Sequence, residues 1–76
     1  MNFGEAIEAL KANKKVARQG WNGKGMYIYK DGAVSPDLVE LENPYITMWT
    51  AQNVPQKGWL ASQADIFAED WQIINN

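Results

Sequence analysis

Seventy-six residues with no cysteine and no histidine make a single domain, residues 1–76, without disulfides and without the usual nitrogen and sulfur ligands of a structural zinc site. Seven basic against nine acidic side chains give a formal net charge of -2, which removes the broad attraction to phosphate backbones that sequence-independent DNA or RNA binding relies on. No apolar run approaches the ~20 residues of a membrane span, and no basic stretch followed by an apolar one opens the chain, so we expect a cytoplasmic protein with neither a nucleic-acid nor a membrane partner.

A chain this short buries too small a core to hold more than about 3–5 kcal/mol of stability alone. Self-association is the staple left. Four tryptophans, three tyrosines and two phenylalanines supply ring surface for both a core and an intersubunit seam.

Residues 2–12 read as an amphipathic helix, with Phe3, Ala6, Ile7 and Leu10 on one face and Glu5, Glu8 and Lys11 on the other. Asn2 with Glu5 forms a capping pair, and Asn13 suits a left-handed exit. Val16-Ala17-Arg18 is short and β-compatible. Then comes a loop, Gln19-Gly20-Trp21-Asn22-Gly23-Lys24-Gly25, and a strand from Met26 to Lys30 with apolar groups on both faces. Such a strand is covered twice, by the first helix and by a second subunit. Asp31-Gly32 predicts a tight hairpin returning through Ala33-Val34-Ser35.

Pro36 to Pro44 reads as an irregular connection, Tyr45 to Thr50 as a strand, and Asn53 to Gly58 as a surface loop. Ser62 caps a short second helix reaching about Glu69, with Asp65 at its third position, and Trp71-Gln72-Ile73-Ile74 forms a last strand within the sheet. The fold class is α+β: a small, mainly antiparallel sheet with an N-terminal helix and a short second helix, assembled as a homo-oligomer.

The chemistry narrows by elimination. Without His or Cys, a Ser or Thr nucleophile lacks its common activator, and no recognised motif surrounds Ser35, Ser62 or Thr50. Asp65 and Asp70 stand five apart, which on a continuous helix turns them away from a common face. Catalysis is therefore not expected, and no cofactor is. The Gly20–Gly25 stretch is neither a P-loop nor a dinucleotide fingerprint, because the Lys-Ser/Thr ending and the strand-to-helix context are missing. What remains is either a recognition loop for an anionic ring-bearing molecule, with Arg18 and Lys24 able to meet phosphates, or an ordinary surface loop with solvated charges. Trp49, within an apolar strand, reads as core. Trp59 stays open, and for Trp21 and Trp71 a ring-stacking platform and a core role are equally compatible with their polar neighbours.

Three blocks in order then acquire a common meaning: Asn2-Phe3-Gly4-Glu5-Ala6, Arg18-x-Gly20-Trp21-Asn22-Gly23-Lys24-Gly25-Met26, and Trp59-x-x-Ser62-Gln63-x-Asp65-x-x-Ala68-x-Asp70-Trp71. Across nearly the entire chain the pattern resembles the small phage-encoded family that includes the second type of Thoeris anti-defence protein. The resemblance implies a sponge: a homotetramer that sequesters a cyclic ADP-ribose-type signal, or a cyclic oligonucleotide, without cleaving it, in the cytoplasm of the infected bacterial host. It also implies pockets between subunits, with ligand contacts carried onto Trp21, Asn22, Trp71, Arg18, Met26 and Asp65. Two other readings remain beside it, a protein-docking module anchored by Trp21 and Trp59 and, disfavoured by the missing reagents, a hydrolase of the same signal.

Overall fold

Helix α1, Phe3–Lys11, begins where Asn2 and Glu5 satisfy each other's backbone N–H groups, and it ends at Ala12 ahead of Asn13, whose φ of 65° turns the chain away. In this computed structural model, which describes residues 1–21, 25–32 and 43–75, α1 buries Ala6, Ala9 and Leu10 against one face of a sheet. The small side chains at 6 and 9 let the helix axis approach the strands closely.

The sheet has five antiparallel strands: β1 (Lys15–Arg18), β2 (Tyr27–Asp31), β3 (Tyr45–Trp49), β4 (Pro55–Lys57) and β5 (Trp71–Ile74). Their order is β4-β3-β2-β1-β5, so the first and last strands of the chain lie side by side. Register aligns Ile73, Val16, Ile28 and Met48 in one row across the sheet. Val16, Ile28 and Met48 of that row are buried under α1 with Trp71, and together they form the core. Helix α2, Gln63–Phe67, opens with the Ser62–Asp65 capping box and reaches β5 through an extended Ala68. Beyond β5, the Trp71 N–H donates to the Met1 carbonyl at 3.1 Å, tying the start of the chain to the edge strand.

The two-sided β2 is as expected on the helix side, where Ile28 is fully buried. Alternation puts Tyr27, Tyr29, Thr47 and Trp49 on the opposite face. Trp49 is therefore half-buried outside the core and stacks on Tyr27 with centroids 6.4 Å apart, because Met48 takes the inward position of β3. Thr47, opposite Tyr29, is buried and donates its hydroxyl to Asp31 Oδ2 at 2.9 Å.

The expected surface loop at Asn53–Gly58 contains the edge strand β4. Its three residues are all exposed, as a short edge strand carrying Pro and Lys should be. Gly32 does take a positive φ of 77°, but the antiparallel partner of β2 over its full length is β3. The expected return through Ala33–Ser35 and nearly all of the irregular connection lie outside the described residues. Among those described, no helix is long and apolar enough to cross a membrane.

Ile28 is the test of this core. Replacing it with Ala is expected to lower unfolding free energy by about 2–5 kcal/mol, from lost transfer energy plus a cavity. The measurement is urea denaturation followed by tryptophan fluorescence, and a change under about 1 kcal/mol would mean the row is not the packing centre.

Candidate functional site

At the end of β1 the chain makes a close turn that is tied to Asp70. The Gln19 N–H donates to the Asp70 carbonyl at 3.0 Å, extending the β1–β5 ladder by one step, and the Trp21 N–H closes onto the Arg18 carbonyl at 3.2 Å. Between them the Gly20 N–H donates to Asp70 Oδ2 at 2.9 Å. A Cβ at position 20 would lie 3.0 Å from that same oxygen, so a side chain here would push the Asp70 carboxylate away by a few tenths of an ångström. Gly25 closes the described part of the loop with φ of 81°, a conformation that favours glycine.

Arg18 fixes this turn to the rest of the fold. Its Nε donates to Asp70 Oδ1 and its Nη1 to Asp65 Oδ1, both at 2.9 Å. Asp65 is at the same time the third helical residue of the α2 capping box, with Oδ2 accepting from the N–H of the cap residue Ser62 at 3.0 Å. Its Oδ1 also accepts from the Trp21 indole N–H at 3.4 Å, and its backbone carbonyl from the Trp71 indole N–H at 3.0 Å. The spacing argument that separated Asp65 from Asp70 fails here for a simple reason. The helix stops at Phe67 and Ala68 is extended, so the chain swings Asp70 back to the guanidinium that Asp65 already holds.

Burial is the largest single influence on the Asp65 carboxyl and pushes its pKa up, but bonds from the Ser62 backbone, Arg18, the Ser62 hydroxyl and Trp21 together outweigh it and the net shift is downward. Asp70 is lowered first by its hydrogen bond to Arg18, against some burial, and further by the Gly20 N–H. Arg18 is raised by Asp70 and then by Asp65. All three groups are held in their charged forms.

Over this cluster stand the rings. Trp71 is 2 % exposed, with Phe3 at 5.5 Å on one side and Trp21 edge-on at 5.4 Å on another. Trp59 meets both Trp21, at 6.1 Å, and Trp71, at 6.3 Å, in edge-to-face arrangements, each such pair being worth about 0.5–1.5 kcal/mol beyond area burial. Trp21 and Trp59 remain half-buried. They form the accessible ledge, and Trp71 is the wall behind it.

The structure thus brings Arg18, Trp21, Asp65 and Trp71 into one cluster. Met26 is half-buried and packs against the core at the far end of the loop, and Asn22 lies outside the described residues, as does Lys24. Sequence reasoning left Trp59 open and set Asp70 aside. The Asp70 role was signalled by the five-residue helix that the Ser62 cap starts, had its end been readable. Among the described residues no group of three His, Cys, Asp or Glu side chains is placed to hold a metal ion.

These features define a small α+β domain whose distinctive surface is a tryptophan ledge braced by an arginine between two carboxylates. The Tad2-like family model, a Thoeris anti-defense 2-like domain, matches residues 1–74. A protein of Bacillus phage SP01 named Thoeris anti-defense 2 is 37% identical over 86 residues, covering 99% of this chain and 96% of its own. The chain belongs to the Thoeris anti-defense 2-like family, as the three sequence blocks suggested.

The lowered carboxyls set a pH dependence. A group whose pKa is depressed on folding stabilises the fold above its unfolded value, about 3.9 for Asp, and that contribution disappears as pH falls through the folded value. The melting temperature is therefore expected to drop as the solution is acidified below about pH 4, and to drop less in Arg18→Gln, where ionising both carboxylates no longer helps. Thermal melts by circular dichroism decide it, and parallel curves for the two proteins would mean that Arg18 does not stabilise the charged pair.

Proposed function

We propose that this domain is a phage anti-defence sponge that binds a cyclic ADP-ribose-type or cyclic oligonucleotide immune signal and sequesters it intact in the cytoplasm of the infected host. Family membership supports the anti-defence part of this reading. The observation that carries the binding part is Trp21, a half-buried indole with Trp71 and Trp59 packed edge-on against it. A purine stacked on such a ring gains about 1–3 kcal/mol, by analogy with bases on aromatic side chains.

In this proposal Trp21 takes the ring, Asn22 and Met26 are further ligand contacts by family resemblance, and Trp71 supports Trp21 from inside the protomer. The state of the neighbouring carboxylates supports holding without cleaving. Among the described residues, Asp65 and Asp70 beside Trp21 are engaged with Arg18 and backbone N–H groups and kept ionised, so neither is poised as a proton donor.

The domain acts as a homo-oligomer, a tetramer by family resemblance. Large apolar surfaces support this: Leu60 is 87% and Phe67 77% exposed, and the sheet face opposite α1 carries Tyr27, Tyr29 and Trp49. Contiguous ring surface of this kind is commonly covered by another chain. A pocket completed by a second rigid subunit would also reduce the ordering cost of binding.

Calorimetric titration with cyclic ADP-ribose, its glycocyclic isomer and a cyclic dinucleotide tests the reading. Tight binding of at least one is expected, lost in Trp21→Ala while light scattering shows an unchanged oligomer. No heat with any of the three would favour the docking-module reading, in which Trp21 and Trp59 anchor a protein partner.

A further inference from the structure

Arg18 was expected to meet a ligand phosphate, and its surroundings argue against that. One guanidinium faces two carboxylates, so the cluster as a whole is negative, and a phosphate approaching it would be repelled rather than drawn in. All four carboxylate oxygens have partners inside the protein: Asp70 Oδ1 and Asp65 Oδ1 hold Arg18, Asp70 Oδ2 holds the Gly20 N–H, and Asp65 Oδ2 holds the Ser62 N–H. The Arg18 side chain is itself only 21% exposed.

The same bonds converge on Trp21 from three directions. Its backbone N–H is tied to the Arg18 carbonyl, its preceding residue to Asp70, and its indole N–H to the oxygen of Asp65 that Arg18 also grips. Residues 18–21 are thereby locked to 62–71, some fifty positions away along the chain.

We propose that Arg18, Asp65 and Asp70 are positioning residues that set the Trp21 indole, with Arg18 acting as a planar two-pronged bracket and not as a phosphate ligand. This deepens the sequestration reading of the same site and rests on it, since the orientation of Trp21 matters to function only if a ring is held there. Arginine's fork suits carboxylate and phosphate alike, so the two roles separate by the state of the indole before any ligand is added: losing a bracket displaces Trp21, and losing a phosphate contact does not. Neither lysine, a single point charge, nor neutral glutamine can span both carboxylates as the fork does.

The indole N–H resonances of the wild type, Arg18→Lys, Arg18→Gln and Asp70→Asn are recorded by 1H–15N correlation spectra, with Trp21→Phe identifying the Trp21 signal. The expected result is a displaced Trp21 resonance in all three variants, while Trp49, on the opposite face of the sheet, keeps its position. Affinity for cyclic ADP-ribose is expected to fall by about tenfold or more in both Arg18 variants, the loss of two charge-assisted bonds acting through the ring. An unmoved Trp21 signal in Arg18→Lys and Arg18→Gln would overturn the proposal, and lost affinity alongside it would restore the phosphate role. Should an Arg18 variant fail to fold, Asp70→Asn decides alone, because its carboxamide can still accept from Gly20 but no longer pairs as an anion. If the wild type takes up no cyclic ADP-ribose, the sequestration reading loses its support for that ligand, whereas the spectra still decide the bracket: displaced signals uphold it and fixed signals refute it.

Discussion

The ion-paired Arg18 is the joint on which the site depends. It ends the first strand of the chain, yet both of its partners come from the segment that begins at the α2 cap and ends at β5. A charge this little exposed is tolerable only with good partners, and here each carboxylate is also bonded to backbone. The cap of a helix, the turn of a loop and the indole of a half-buried tryptophan consequently share one set of hydrogen bonds. None can move without disturbing the others.

Tryptophan is used in three different ways around this joint. Trp71 fills the core and has its indole N–H satisfied by a backbone carbonyl, so its ring does structural work within the protomer. Trp21 and Trp59 stand at the boundary, each with part of its ring area accessible. Trp49 belongs to the other side of the sheet, stacked on Tyr27, where Lys15 Nζ also sits 4.8 Å from the Tyr27 centroid. A domain this small has too little interior to bury four such side chains. Rings at its boundaries follow from size as much as from function.

What was legible in the sequence was local. Asn2 with Glu5 and Ser62 with Asp65 announce their helices because a capping box is written in four consecutive positions, and Asn13 announces its left-handed exit. β1, β2, β3 and β5 follow from short β-branched and aromatic runs. Trp49, read as core, lies on the other face, and Trp71, left open between platform and core, is buried, because burial of a strand residue depends on which face the register gives it, and register is decided by partners far away in sequence. β4 was hidden by Asn53, Pro55 and Gly58, residues that punctuate loops and are tolerated at a sheet edge for the same conformational reasons. Asp70 was misplaced by assuming that the helix runs on past Phe67. The family was readable because its blocks combine such local signals at fixed separations, while the part of the loop holding Asn22 and Lys24 lies outside the described residues.

The proposed sequestration turns on a ring being held at Trp21 and left chemically intact. The most direct measurement is to load the protein with cyclic ADP-ribose-type signal, wash it, release the bound nucleotide by heat denaturation and weigh it by mass spectrometry. The account predicts recovery of the unaltered cyclic nucleotide, in amounts that track the protein and vanish with Trp21→Ala. Recovery of a linear or hydrolysed product, or equal recovery from Trp21→Ala, would contradict it.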